Sequence, residues 1–186
     1  MSKFLVLTGL DGVGKDTIAA QIANQYDYIV RTTPTNLFKP LRGEIDKQTV
    51  VHPEVHFLFY LASVVHASDQ IRALLSGGHN VVMVRYLLDT VVYHRALGLD
   101  IDLVYETKLY QILPPDLTIM LQTSDETRLR RLGSRGYSIG DKVTKGELSS
   151  RIAHEFERLR SEYVVVKNED LPERVASHIV VEYLCS

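Results

Sequence analysis

The segment Gly9-Leu10-Asp11-Gly12-Val13-Gly14-Lys15-Asp16-Thr17 places three glycines ahead of a lysine, a carboxylate and a hydroxyl. Gly-x4-Gly-Lys is the frame of a phosphate-binding loop, which works only between a strand and a helix. Glycines let successive backbone N–H groups curl inward around an anion, and the helix start adds its positive end. Gly9, Gly12, Val13 and Gly14 are therefore read as the cradle. Lys15 is read as the cation that follows the charge of a transferring phosphoryl group. Asp16 stands where a serine or threonine hydroxyl ordinarily meets Mg²⁺, and Thr17 follows it. A carboxylate can take that part, so Asp16 is the expected metal ligand. The competing reading is a plain glycine turn, with Asp16 and Thr17 serving only the first helical turn.

A second group, Val84-Arg85-Tyr86, ends an apolar run and leads into Leu87-Leu88-Asp89-Thr90-Val91-Val92-Tyr93-His94. In an open parallel sheet, ligands bind beyond the carboxyl ends of the strands. The glycine loop and Arg85 both follow such runs, so they are expected in one cleft. A guanidinium suits an acceptor phosphate because its planar fork makes bidentate, charge-assisted bonds. Otherwise Arg85 is a surface ion pair.

Positioning these groups takes strands at Phe4–Thr8, Tyr28–Val30, Val81–Val84, Leu117–Leu121 and Val164–Val166. These runs are continuously apolar rather than alternating, which marks strands buried on both faces. Helices are predicted at Asp16–Tyr26, from Pro53 to about Leu75, from Tyr86 to about Leu97, and over Leu103–Ile112. Others are predicted at Asp125–Leu132, Glu147–Tyr163 and Pro172–Tyr183. Residues 133–145, rich in glycine, serine and mixed charge, are predicted to form a mobile loop. The class is α/β in three layers, a five-stranded parallel sheet covered by helices on both faces. His52 and His56 have a spacing that can hold a metal. Pro53 starts the helix between them, so a cap and a packed histidine are expected instead.

The chain has 186 residues, net charge −2, 45% hydrophobic and 24% charged residues, and one cysteine, Cys185. That length suits a single domain over residues 1–186 with a full core. A near-neutral balance gives no reason to expect nucleic acid as a partner. The longest run without Asp, Glu, Lys or Arg, Val55–Ser68, has 14 residues, the length of a core helix rather than a membrane span. A lone cysteine leaves no internal disulfide, so a cytoplasmic protein is expected.

With these residues in view, the chain resembles the thymidylate kinases. Gly9 to Thr17 matches their loop except at Asp16, and Val84 to His94 aligns with their Asp-Arg-Tyr element and the helix after it. Phe57-Leu58-Phe59-Tyr60-Leu61-Ala62, Pro115-Asp116-Leu117, the arginine-rich stretch from Arg128 to Arg135 and the helix Phe156–Tyr163 also fit. The resemblance implies a P-loop NTPase fold with a mobile lid, and an ATP- and Mg²⁺-dependent kinase acting on a nucleoside monophosphate, most readily dTMP. It assigns Asp11 to the acceptor sugar's 3′-hydroxyl, and Arg31, Arg85 and Arg42 to the acceptor phosphate. It assigns Phe59 to a stack on the base and Tyr93 to the sugar. Gly12 replaces the loop arginine of some members, which makes Arg135 or Arg131 the catalytic lid arginine. A homodimer through the helix after Pro53 is also implied.

The departures cluster on the acceptor side. Val84 replaces an aspartate, Ser63 an arginine that reads thymine, Asp89 a serine and His94 a glutamine. Losing a polar reading group weakens discrimination more than any change in apolar packing. Two rivals follow. A kinase for an unphosphorylated hydroxyl would use Asp89 or Asp11 as its base. A nucleotide-binding protein without activity would bind ATP with little help from Mg²⁺.

Overall fold

The computed structural model describes residues 2–47, 52–135, 147–169 and 171–183. Five strands, β1 (Phe4–Thr8), β2 (Tyr28–Thr32), β3 (Asn80–Val84), β4 (Leu117–Gln122) and β5 (Val164–Lys167), form one parallel sheet. Their order is β2-β3-β1-β4-β5, with β1 at the centre. Leu7 pairs with Val84 on one side and Ile119 on the other, so the ends of β1, β3 and β4 stand level.

Alternation along β1 divides the core. Leu5 and Leu7 join Ile18, Ala19 and Ile22 of α1 (Lys15–Tyr26), and Ala176, Ile179 and Val180 of the C-terminal helix Pro172–Tyr183. Phe4 and Val6 face the other way, onto Val64, Ala67 and Ile71 of α3 (Pro53–Ser76) and Val91 of α4 (Leu87–Ala96). Helix α6 (Glu147–Arg158) packs Ile152 and Phe156 against Leu88 and Val92 on that same side. The short helix α2 (Arg42–Asp46) packs on α3, and α5 (Asp125–Arg135) follows β4; the C-terminal helix is α7. These are the three layers expected from the apolar runs. The family-typical lid is a different matter: α5 extends through Arg135, and residues 136–145 of the expected lid lie outside the described residues.

Helix α3 explains the long uncharged run. Pro53 occupies its first turn, where a missing N–H costs nothing, and Gly77 closes it. Its inner face is buried in the core, while Val55 and Leu58 point outward, Leu58 at 60% exposure.

The helix predicted over Leu103–Ile112 does not form. Ile101, Leu103 and Tyr105 pack against the α3–α4 cluster at every second position, the period of extended chain. Thr107 then folds the segment back. Its hydroxyl accepts from the N–H groups of Leu109 (3.2 Å) and Tyr110 (3.1 Å), and its N–H donates to the Tyr110 carbonyl at 2.8 Å. A threonine hydroxyl that satisfies nearby backbone in this way competes with helix formation. The helix predicted to reach Tyr163 stops at Arg158, and a single 3₁₀ turn over Arg160–Glu162 leads into β5. Tyr163 is instead extended, its hydroxyl donating back to the Phe156 carbonyl at 3.0 Å.

Candidate active site

The loop after β1 takes backbone shapes that only glycine adopts cheaply. Gly9, Gly12 and Gly14 have φ of 131°, 89° and 92°. Space demands them as well. A Cβ on Gly9 would lie 2.6 Å from the Leu121 carbonyl oxygen, and one on Gly14 would lie 2.5 Å from the Asn168 side-chain amide. Gly12 lies under α5, where a Cβ would meet the Arg128 carbonyl oxygen at 2.9 Å. An arginine at this position is therefore excluded by the helix above.

Lys15, 3% exposed, donates from Nζ to the carbonyls of Gly9 (2.6 Å) and Leu10 (2.9 Å), with the Asp11 carboxylate 3.9 Å away. Burial, helped by the Arg85 charge, brings its pKa down to about 8 despite Asp11, Asp89 and Asp16 nearby. Asp16 and Thr17 are exposed in the first turn of α1.

Arg85 follows β3 in a left-handed backbone conformation, φ 62°, anchored by its N–H to the Leu7 carbonyl at 3.0 Å. Its guanidinium pairs with Asp11. Burial opposes that charge, yet Asp11, Asp89 and Asp16 together hold the guanidinium even more firmly protonated than usual. Asp89, in the first turn of α4, accepts from the Thr8 hydroxyl at 2.8 Å and the Tyr86 N–H at 3.1 Å. Burial raises its pKa, against the lowering pull of Lys15 and Arg85. Two cations and three carboxylates therefore share one cleft beyond β1 and β3. The sheet end keeps a carboxylate although Val84, fully buried, provides none.

The remaining candidates spread out from there. Arg31, on edge strand β2, turns its guanidinium back onto the Val30 carbonyl at 2.9 Å. Arg42, on α2, pairs with Asp46 at 3.1 Å and lies near enough to Arg85 for the two charges to oppose each other. Phe59 is met edge-on by Phe38 at 5.5 Å, and Tyr93 packs on the His56 ring at 5.6 Å. Ser63 is fully buried, and its hydroxyl accepts the Thr35 N–H at 2.8 Å. Thr35 and Thr33 then pin the segment after β2 to His66 (2.8 Å) and to the Arg85 carbonyl (3.1 Å). Ser63→Ala leaves a buried N–H without its acceptor and should lower unfolding free energy by about 1–2 kcal/mol in a urea titration. An unchanged midpoint would show that the Thr35 N–H finds another partner.

Of the two arginines expected in a lid, Arg131 donates to the Val13 carbonyl (3.4 Å) and the Asn168 carbonyl (3.3 Å). Arg135 ends α5, and its side chain lies outside the described residues. Asn168 is a site residue that sequence reasoning missed. It donates to the Val13 carbonyl at 2.7 Å, while its own buried carbonyl oxygen has no partner among the described residues. No sequence signal marks it, because it is 155 positions from Val13. Among the described residues no three acidic, histidine or cysteine side chains form a metal cluster, and none of the helices is long and apolar enough to cross a membrane.

The family model described as thymidylate kinase matches residues 7–179. A thymidylate kinase of Desulfotalea psychrophila is 30% identical, covering 87% of this chain and 84% of that protein. A probable thymidylate kinase of Methanococcus vannielii is 26% identical, covering 86% and 78%. Among solved structures, a Candida albicans thymidylate kinase superposes with a TM-score of 0.74 at 18% identity, covering 97% of this chain and 90% of that one. A deoxyadenosine kinase of M. mycoides with bound dATP gives 0.72 at 20% identity, covering 98% and 100%. The last two establish the P-loop NTPase fold, and the match along nearly the whole sequence places the chain in the thymidylate kinase family.

Proposed function

We propose that the protein transfers the γ-phosphoryl group of ATP to a nucleoside monophosphate, dTMP or a close relative, with Mg²⁺. The observation that carries this reading is the Arg85 guanidinium, held by Asp11 in the same cleft as Lys15. One cation serves the acceptor phosphate, the other the donor. An acceptor phosphate oxygen attacks the γ-phosphorus as the bond to the β-phosphate oxygen breaks and ADP departs. That oxygen is already anionic, so no base is needed. The chain contributes position and charge: the loop N–H groups hold the donor phosphates, Lys15 follows the transferring group, and Arg85 holds the acceptor. The donor cradle fits, since it is formed where a Cβ would intrude. For Mg²⁺, which keeps most of its water and takes one or two carboxylates, Asp16 and Thr17 are the groups that would hold it. When bound, the ion offsets phosphate charge. Phe59 and Tyr93 line the acceptor side, and lid arginines shield the transfer from water.

A second reading rests on Asp89. A partly buried carboxylate whose pKa desolvation raises, beside Lys15, has the features of a general base for a neutral hydroxyl. Product formation with ATP and Mg²⁺ over dTMP, the other deoxynucleoside monophosphates and the free nucleosides separates the two. Turnover of dTMP above all nucleosides supports the first reading. Turnover of nucleosides alone replaces it with the second, and ATP binding without any product overturns both. We further infer a cytoplasmic homodimer formed through α3, whose exposed Val55 and Leu58 favour such a contact.

A further inference from the structure

Between α2, α3 and α4 runs a hydrogen-bonded chain that the phosphoryl-transfer scheme does not use. His94 Nδ1 meets the Thr90 carbonyl at 2.6 Å, and His94 Nε2 meets His56 Nδ1 at 2.8 Å. His56 Nε2 faces Asp46 Oδ1 at 3.3 Å. Tyr60 donates its hydroxyl to that same oxygen at 2.9 Å, and Arg42 Nε donates to Asp46 Oδ2 at 3.1 Å. His56 and His94 are both buried, their rings 5.0 Å apart and flanked by Tyr60, Tyr93 and Phe57.

Proton counting makes this chain unusual. Its two ends, a peptide carbonyl and a carboxylate, only accept. Three contacts span them through four ring nitrogens, and each contact needs one proton. Two neutral imidazoles carry only two. The complete chain therefore holds a third proton, which balances the Asp46 charge.

We propose that this extra proton, shared by His56 and His94, fastens Asp46 and thereby positions Arg42 and α2 at the acceptor end of the cleft. The inference rests on the acceptor reading given above and adds to it a proton-linked control of acceptor binding. Burial, against the raising pull of the Thr90 carbonyl and with the neighbouring His56 charge, brings the His94 pKa down to about 4. Asp46 stays ionised: burial alone would raise its pKa, but His56, Tyr60 and Arg42 hold it below the usual value. Tyr60 remains a donor, because burial and the charge of Asp46 push its pKa well up despite Arg42. When the proton leaves, a bare ring nitrogen faces a carboxylate across the longest of the three contacts. That contact breaks, while the ties of Asp46 to Tyr60 and to Arg42 on its own helix remain. The Arg85 charge repels Arg42. Arg42 is then held less closely against the cleft.

The test uses the ¹⁵N-labelled full chain between pH 5.5 and 9. Ring-nitrogen spectra count the protons on His56 and His94, and the Arg42 Nε–H resonance reports on α2. Calorimetric titration of dTMP follows acceptor binding in the wild type and in His56→Gln, whose amide can donate to Asp46 without an extra proton. The wild-type to variant ratio of dTMP Kd cancels the ionisation of dTMP itself. Three ring protons at low pH are expected to become two on raising it, with the Arg42 resonance moving in step. The Kd ratio should rise about tenfold over the same interval, the scale of one charge-assisted hydrogen bond. Two ring protons at every pH, an Arg42 signal that ignores the ring titration, or a flat Kd ratio overturns the proposal. If dTMP binds neither protein while the rings and Arg42 titrate together, the fastening stands and the dTMP reading fails. The wild-type spectra decide the matter even if the variant does not fold.

Discussion

Lys15→Met is expected to slow phosphoryl transfer by roughly a thousandfold or more while making the nucleotide-free protein more stable. The first effect follows from removing the cation that the proposed reaction assigns to the transferring phosphoryl group. The second follows from what an empty site asks of a buried ammonium. Burial, with Arg85 beside it, takes the Lys15 pKa from 10.5 to about 8. At pH 7 the lysine is charged both folded and unfolded, so the folded state carries the whole penalty, on the order of 3 kcal/mol. Its bonds to the Gly9 and Leu10 carbonyls are lost in the variant and offset part of the gain, leaving about 1 kcal/mol net. The sign has a pH signature. Between pH 8 and 10.5 the unfolded lysine binds more protons than the folded one, so wild-type stability recovers relative to the variant. Urea titrations should therefore show the variant ahead below pH 8 and the wild type overtaking it before pH 10.5, once the recovered penalty exceeds the net gap. A variant less stable than wild type at pH 7 would show that the two carbonyl bonds outweigh desolvation. The same linkage governs binding. ATP phosphates restore the lysine's proton, so ATP binding takes up a proton above pH 8 and its affinity falls as pH rises further.

The sheet and the phosphate loop were legible because both are local signals. A continuously apolar run of three to five residues needs no knowledge of its neighbours to be read as a buried strand, and the glycine frame is complete within nine positions. The segment at 103–112 was misread for the opposite reason. Its apolar residues suit a helix or an extended chain equally, and Thr107 decides between them through bonds that only the folded turn makes. On the acceptor side, residue identities were readable but their geometry was not. Asp89 looked like a substituted serine, yet it reaches Thr8, 81 positions away. Ser63 looked like a missing base reader and proves to be a buried support for Thr35. His56 was weighed against His52, four residues off, whereas its ring partner is His94 on another helix. Long-range pairings of this kind leave no spacing to find.

Arg85→Gly and Arg85→Met should both lose phosphoryl transfer by roughly a thousandfold, but they should differ in stability. In each, the acceptor KM should rise far more than the ATP KM if the guanidinium serves the acceptor end of the cleft as proposed. The two diverge in the backbone. At φ 62°, a residue with a Cβ stores about 1–2 kcal/mol of strain. Methionine keeps that strain after losing the Asp11 ion pair that compensates for it. Glycine relieves it and returns about 0.5–1 kcal/mol as extra chain entropy in the unfolded state. The glycine variant should therefore be the more stable of the two by about 0.5–1 kcal/mol, read from urea midpoints at constant slope. Equal midpoints would mean that the Arg85 N–H bond to Leu7 and the Thr33 bond to the Arg85 carbonyl hold the turn without net strain. Either variant also removes the charge that helps depress Lys15, so the Lys15 pKa should move up from about 8 in both. In the proposed reaction a guanidinium held in a strained turn would thus act twice, gripping the acceptor and keeping the donor lysine primed to gain from an arriving phosphate.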